Sequence, residues 1–124
     1  MSTELLGSYG EERAADYLRK KRYTIAGMNF RTRLGEIDLI CEDRRFIVFV
    51  EVKLRKNDRY GSAREFVTRR KQERVIAAAK QWLQMHPTRK QPRFDVIEIY
   101  APEGADPRTT TVVHLMDAFS ADRT

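Results

Sequence analysis

Hydrophobic and polar positions along the chain change their spacing several times, and each change predicts a new secondary-structure element. In residues 3–21 the small and apolar positions recur at spacings of three, four and seven, which predicts an amphipathic helix. Short runs of branched and aromatic residues predict strands, and Gly27 and Asn29 indicate a bulge or bend in the first of them. The later predicted elements are strands at 23–30, 36–42 and 46–53, a basic loop at 54–66, a helix at 68–85 ended by Pro87, a strand at 94–100, a Pro/Gly loop through Pro107, a short strand at 112–116 and a frayed tail after about 117. At 124 residues the chain is predicted to form one α/β domain, 1–124.

One face of the first predicted helix consists almost entirely of small residues. They are Gly7, Ala14 and Ala15, followed by Leu18, and such a face can lie close to a sheet. Glu11 is the odd member, because it is an acid in the middle of this face. Two interpretations stay open for Glu11: an acid directed at a functional site, or a residue at the edge of the stripe that extends into water.

The strands at 36–42 and 46–53 are joined by a short turn, so they are predicted to pair as a hairpin. If Arg44 and Arg45 are the two loop residues, Asp38 lies opposite Glu51. Alternation then places four charged residues on one face, Glu36, Asp38, Glu51 and Lys53, and six apolar ones on the other, Ile37, Leu39, Cys41, Val48, Val50 and Val52. Arg-Arg is not a favoured two-residue turn, and a slip of one residue would separate the two acids. The register is therefore a hypothesis.

The composition of the chain indicates the class of binding partner more clearly than it indicates the fold. Lys and Arg outnumber Asp and Glu by 24 to 18, a net charge of +6, while 41% of the residues are hydrophobic. This is typical of a globular domain whose basic surface either binds a polyanion such as nucleic acid or is simply solvated. Cys41 is the only cysteine, which excludes an intrachain disulfide and a thiolate metal cluster. The N-terminal residues do not resemble a signal peptide, and no apolar run is long enough for a membrane span, so we expect a cytoplasmic protein.

The acids and the lysine of the hairpin suggest a metal site. Strand interiors are depleted in such residues, so their repetition on one face favours a functional explanation. Mg²⁺ or Mn²⁺ takes hard oxygen ligands, and Asp38 and Glu51 would supply two carboxylates while the Val52 carbonyl completes the shell. Lys53 would lie near the attacking water or the phosphate, and Glu11 is a candidate third acid. Glu36 is either a supporting group behind the ligands or an ion-pair partner of Lys53.

Basic residues surround this motif in the sequence. Four lie in the first turns of the second predicted helix, where the helix dipole disfavours cations unless an anion docks there; a solvated basic turn is the alternative explanation. Tyr60 could stack on an unpaired base. The candidate nucleic-acid-binding residues are Arg31, Arg33, Arg55, Lys56, Arg59, Tyr60, Arg69, Arg70, Lys71 and Arg74.

The order of these motifs resembles the YraN family of small, largely uncharacterised bacterial proteins. That family is assigned to the PD-(D/E)xK nuclease superfamily and related to archaeal Holliday-junction resolvases. The resemblance extends from about residue 7 to 99. Its residues are Tyr9-Gly10-Glu11, Ala14, Tyr17-Leu18, Asn29-Phe30-Arg31, Gly35-Glu36-Ile37-Asp38-Leu39-Ile40, Val48-Phe49-Val50-Glu51-Val52-Lys53, Arg55, Gly61, Lys71, Arg74 and Arg93-Phe94-Asp95-Val96-Ile97.

The resemblance implies a restriction-endonuclease-like core, a mixed central sheet flanked by helices in the order αβββαβ. It implies that the residues matching Asp38, Glu51 and Lys53 form the metal and catalytic centre, which a helical acid matching Glu11 often joins. Some members have a Gln-x-x-x-Tyr motif on the second helix; here Ile76 replaces the tyrosine, so only a supporting role for Gln72 carries over. Because resolvases act as dimers, a homodimer is a further expectation.

Three functions follow from these observations and stay open. The first is a Mg²⁺- or Mn²⁺-dependent endonuclease that hydrolyses phosphodiester bonds in DNA, including branched or structured DNA. The second is a non-catalytic nucleic-acid-binding module on the same scaffold, since a family member can keep the fold and lose the activity. The third is a protein-interaction domain whose basic face meets an acidic partner.

Overall fold

A five-stranded mixed sheet with one helix on each face forms the molecule. The computed structural model describes residues 3–55, 67–104, 106 and 108–121, with side chains from residue 8 onward. The elements are α1 (Thr3–Lys20), β1 (Thr24–Arg31), β2 (Glu36–Glu42), β3 (Phe46–Arg55), α2 (Arg69–Met85), β4 (Gln91–Tyr100) and β5 (Thr111–Phe119). The strand order is β1-β2-β3-β4-β5, with β3 and β4 parallel and the other pairs antiparallel. This confirms the predicted α/β class and its restriction-endonuclease-like core.

The two faces of the sheet bury separate apolar clusters, one under each helix. Ala14, Ala15 and Leu18 of α1 cover the first face, as the small-residue stripe predicted. The second face packs against α2 through Val75, Ala78 and Ala79. Both clusters are buried and account for most of the driving force for folding, since burying one large apolar side chain contributes about 1.5–3 kcal/mol. No helix in the part of the chain that the structure describes is long and apolar enough to cross a bilayer.

The β2–β3 hairpin has the register that the sequence predicted. Leu39 lies opposite Val50, and the pairing continues in step to the turn, whose two loop residues are Arg44 and Arg45. An Arg-Arg turn forms here because the Asp43 carboxylate accepts hydrogen bonds of 2.8 Å from the N–H groups of both Arg45 and Phe46. A side-chain-supported turn thus replaces the Asn-Gly type that hairpins usually need.

Three strands are longer than the sequence predicted. β3 continues to Arg55, where a loop was expected, and β4 begins at Gln91 rather than at Phe94. β5 continues to Phe119, beyond the point where the tail was predicted to fray. Phe119 is buried against Phe94 at a ring-centroid distance of 5.2 Å, so apolar packing fixes this end of the strand.

Regular alternation breaks in β2 at Asp38. Leu39 and Cys41 share the face that α1 covers, but Ile37 belongs to the cluster under α2, so the prediction that all three share one face is wrong. The physical reason lies in the neighbouring strand, where Asn29 adopts a left-handed φ of 51° between residues that pair with Ile37 and Leu39. The strand turns over at Asp38, which places this acid within reach of groups from both helices.

Gly35 allows α2 to lie close to the start of β2. A Cβ atom at this position would be 1.9 Å from the carbonyl oxygen of Arg74. Only glycine permits that approach, because any side chain would collide with helix backbone. The contact brings the first turns of α2 to the end of the hairpin where Asp38 and Glu51 lie.

Candidate active site

Asp38 and Glu51 meet at the end of the hairpin away from its turn. In the observed register they are the next residues beyond the Leu39–Val50 pair. The Asp38 Oδ2 accepts a 2.8 Å hydrogen bond from the Val52 N–H across the hairpin. The Glu51 side chain is only 5% exposed, and its Oε2 is buried with no hydrogen-bond partner among the described residues. The structure therefore brings together the two acids that the sequence singled out.

Burial is the main influence on the protonation of both acids. It raises the pKa of Asp38, although the hydrogen bond from Val52 opposes the shift. Burial, together with the charge of Asp38, raises the pKa of Glu51 to about 7. Two nearby carboxylates resist ionising together in a site of low polarity, so the pair gains stability when a cation arrives.

Two lysines already supply positive charge to Glu51. The Nζ of Lys53 is 3.5 Å from the Glu51 Oε1, and the Nζ of Lys71, from α2, is 3.7 Å from the same atom. Lys71 also donates a 3.0 Å hydrogen bond to the Glu36 Oε1, and this bond holds the pKa of Glu36 below its ordinary value. The ion pair of Glu36 in the structure is thus with Lys71 and not with Lys53.

Glu11 approaches the same end of the hairpin from α1. Its Oε2 accepts a 2.8 Å hydrogen bond from the Asn29 Nδ2. Burial raises the pKa of Glu11, the Asn29 bond opposes this, and the charge of Asp38 raises it further. Both acids line a cavity of about 150 Å³, together with Asn29, Arg31, Glu36 and Ile37. Glu11 and Asp38 thus line the same cavity, and a role for Glu11 in the site stays a prediction.

The other sequence candidates fall at several distances from the carboxylates. Arg31 lines the cavity, Arg33 is exposed, and Arg55 ends β3. Arg69, Arg70, Lys71 and Arg74 all lie in the first two turns of α2. Arg69 forms an exposed ion pair with Glu73, 3.5 Å apart. The Gln72 Nε2 donates a 3.0 Å hydrogen bond to the Val67 carbonyl, at the start of the helix. Lys56, Arg59 and Tyr60 lie outside the described residues.

Sequence reasoning missed the central position of Lys71 and the role of Asn29. Lys71 was assigned to the basic surface, yet its ammonium lies between two of the site acids. Nothing in its immediate sequence distinguishes it from Arg69 or Arg70; only the docking of α2 does. Asn29 did have a signal, because Asn tolerates the left-handed backbone that a strand bend needs.

The carboxylate oxygens of Asp38 and Glu51 suit a hard cation, and the described residues offer few further side-chain ligands. Among the described residues no three His, Cys, Asp or Glu side chains are arranged to hold one ion. Two carboxylates do converge, and one of their buried oxygens has no hydrogen-bond partner within the described ranges. Mg²⁺ commonly binds through one or two carboxylates and keeps several waters, so the arrangement fits this type of ion.

A second carboxylate cluster, centred on Asp95, was not anticipated. Asp95 is fully buried and accepts hydrogen bonds from Arg93 at 2.8 and 2.9 Å, from His114 at 2.7 Å and from the Asp117 N–H at 2.9 Å. His114 in turn contacts the hydroxyl of Tyr17, on α1, at 3.3 Å. The network links β4, β5 and α1. Arg93 is two residues from Asp95, but His114 and Tyr17 lie far from it in the sequence, so only the strand pairing and the packing of α1 reveal the whole network.

The mixed sheet, the two flanking helices and the acids and lysine at the end of the central hairpin define a restriction-endonuclease-like α/β protein. A family model named Uncharacterised protein family UPF0102 matches residues 10–99, and the chain belongs to this family, also called the YraN family.

Relatives named only "UPF0102 protein" support the assignment. A protein of Syntrophomonas wolfei is 47% identical over 116 residues, covering 92% of this chain and 96% of the relative. Proteins of Trichlorobacter lovleyi and Nitrosococcus oceani are 40% and 41% identical over 118 residues, and each alignment covers 94% of this chain and over nine-tenths of the relative, 91% and 92%. The chain thus spans more than nine-tenths of the length of each of these three relatives.

Proposed function

We propose that this protein is a metal-dependent endonuclease that hydrolyses phosphodiester bonds in DNA. The observation that supports this most directly is the pair of acids at the end of the central hairpin, the buried Glu51 and the half-buried Asp38. The Oε2 atom of Glu51 is buried without a hydrogen-bond partner in the described part of the chain, and the pKa of the Glu51 carboxyl is raised to about 7. Perturbed, incompletely satisfied acids are typical of functional sites, because a purely structural carboxylate is normally fully bonded.

Mg²⁺ or Mn²⁺ is the proposed cofactor, held by Asp38 and Glu51 with the Val52 carbonyl. When bound, such an ion polarises phosphoryl oxygens and lowers the pKa of a coordinated water. Asp38 is suited to a fixed ligand position because the Val52 N–H already orients its carboxylate. Glu51 leaves one oxygen available for the ion.

Lys53 and Glu11 have complementary proposed roles. The ammonium of Lys53 lies 3.5 Å from Glu51, where it could stabilise negative charge that develops on a phosphoryl oxygen. Glu11 faces the cavity from α1, and burial raises its pKa, which favours a group that exchanges a proton with water. Asn29 orients Glu11 in that position.

The charge around the site favours a phosphate backbone as the substrate. Arg31 lines the cavity, exposed Arg33 follows β1 in the chain, and exposed Arg70 lies in the first turn of α2. Such contacts give salt-dependent and largely sequence-independent affinity. Branched or structured DNA as the preferred form is an extension that comes from the resemblance to resolvases.

A cleavage assay tests this function. Linear, flapped and four-way DNA would be incubated with purified protein, with and without Mn²⁺. We expect metal-dependent cleavage that falls by a factor of about a thousand or more in Asp38→Asn, since losing one electrostatic contact to a transition state typically costs a factor of 10²–10³ and here a metal ligand is lost. Glu12→Gln, an exposed carboxylate on α1, is the matched control and should cut like the wild type.

Two outcomes would contradict the endonuclease. Absence of metal-dependent cleavage, or equal cleavage by Asp38→Asn, would exclude it. Salt-dependent DNA binding that survives replacement of both acids would then identify the non-catalytic binding module. Lack of DNA affinity even at low salt would instead indicate an acidic protein partner.

A further inference from the structure

Lys71 is placed in the site by the architecture of the helix start. The Thr68 Oγ1 caps α2 and accepts a 3.1 Å hydrogen bond from the Lys71 N–H. Gly35 lets the backbone of this helix approach β2, as described above. The Lys71 side chain is 23% exposed and extends into the group of acids rather than into solvent. Neighbouring Arg70, by contrast, is exposed.

The ammonium of Lys71 lies between two acids that differ in their exposure to solvent. It is 3.0 Å from Glu36, which is half-exposed, and 3.7 Å from Glu51, which is buried. A divalent ion bound at Glu51 would therefore lie within a few ångströms of this charge. Repulsion between cations at such distances is strong in a site that is partly shielded from water, so the two compete for Glu51.

We infer that Lys71 is a built-in counter-ion that competes with the divalent ion for Glu51, and that Glu36 holds the ammonium once the ion is bound. The inference rests on the proposed function, because it concerns the affinity of the proposed metal site. It assigns Lys71 a role different from the phosphate contact suggested by its sequence. Lysine suits this role, since its flexible stem can move a compact charge by several ångströms without moving the helix.

The first test measures Mn²⁺ binding by titration calorimetry, independent of DNA cleavage. Lys71→Met removes the charge and keeps the apolar stem, and we expect it to bind Mn²⁺ about tenfold more tightly than the wild type or better. Lys80→Met is the matched control, because it removes one charge from an exposed position of the same helix, outside the site. Its affinity should stay within about twofold of the wild type.

A double-mutant cycle then tests the role of Glu36. In the wild-type background, Glu36→Gln should weaken Mn²⁺ binding, because Lys71 loses its alternative partner and remains on Glu51. In the Lys71→Met background, the same change should have little effect. If Glu36 were a metal ligand, its replacement would weaken binding equally in both backgrounds.

The outcomes separate this inference from the proposed function. If the wild type binds Mn²⁺ and Lys71→Met binds it equally or more weakly, the inference is wrong while the metal site stands. If neither protein binds Mn²⁺, both the metal site and the inference are wrong. Should Lys71→Met fail to fold, Lys71→Gln, which keeps a polar end, provides the same comparison.

Discussion

Glu51 and Asp95 are buried carboxylates at two places in the same sheet, and they differ in how completely hydrogen bonds satisfy them. Asp95 contacts α1 through His114 and Tyr17, and the acids of the hairpin contact α2 through Lys71. Four hydrogen bonds surround Asp95, whereas an oxygen of Glu51 has no such partner in the described part of the chain.

The pKa values follow this difference. Burial raises the pKa of Asp95, but hydrogen bonds from His114, Arg93 and the Asp117 N–H outweigh it and hold the pKa below its ordinary value. Burial also raises the pKa of Glu51, and there the neighbouring Asp38 adds to the shift instead of opposing it. The comparison teaches that burial alone does not set the pKa of an acid; the extent to which hydrogen bonds and ion pairs compensate for burial decides it.

The largest effect on stability is expected at Asp95. Asp95→Asn leaves the nearly buried Arg93 without its counter-charge, and breaking such a pair typically costs about 3–5 kcal/mol. Urea unfolding measures the loss. Mn²⁺ binding in the folded fraction should be unchanged, since Asp95 lies outside the proposed metal site. A variant as stable as the wild type would contradict the structural role of this cluster.

A smaller effect of opposite sign is expected at Glu51. Its pKa is about 7 in the folded state against an ordinary value of 4.5, so the folded state binds the extra proton between these limits. In the absence of metal, stability from this group should therefore fall as the pH rises from about 4.5 to 7 and stay low above 7. Glu51→Gln removes the penalty and should stabilise the protein at pH 8 by an amount of the order of 3 kcal/mol, because a tenfold change in proton affinity corresponds to about 1.4 kcal/mol.

Unfolding at pH 5 and pH 8 provides the check on Glu51. The stabilising effect of Glu51→Gln should largely disappear at the lower pH. The contribution of Asp95, whose pKa is lowered, should be kept over this whole range and lost only as the pH falls below about 4. If Glu51→Gln instead destabilised the protein at pH 8, the conclusion that the burial of Glu51 is incompletely compensated would be wrong.

A substitution at Gly35 should disturb the acids of the hairpin and leave the Asp95 cluster unchanged. Gly35→Ala forces a side chain against the carbonyl of Arg74, and overpacking of this kind costs about 1–3 kcal/mol. Gly10→Ala is a suitable control because its added Cβ makes ordinary contacts of 3.6 Å or more with Leu54 and Val52 of β3. The displacement of α2 should alter Mn²⁺ affinity but leave the NMR signals of His114 unchanged. Equal disturbance of both clusters would show that they are not independent.

How much of this could be predicted depends on how far apart in sequence the interacting residues lie. The position of Asp38 opposite Glu51 could be predicted from the alternation of apolar and charged residues and from the loop length of one hairpin. Both are local properties of the sequence. The face of Ile37 could not be predicted, because the neighbouring strand twists at Asn29. The position of Lys71 depends on how α2 docks against β2.

The Asp95 cluster also depends on contacts between distant parts of the sequence, such as that between Tyr17 and His114, which are 97 residues apart. Its donor His114 is supplied by β5, and the β4–β5 pairing has a shift between Phe94 and Val96 that no alternation rule anticipates. Cys41 illustrates the opposite case. Its place among the apolar positions of the hairpin predicted a core residue, and Cys41 is buried. Burial raises the pKa of its thiol to about 12, as expected of an unreactive cysteine.

The most direct test of the central claim is anomalous diffraction from crystals of the protein soaked in Mn²⁺. We predict one manganese peak between the carboxylates of Asp38 and Glu51, and its loss in Asp38→Asn crystals treated in the same way. Absence of a peak between these acids in wild-type crystals, or an equal peak in Asp38→Asn, would contradict the account.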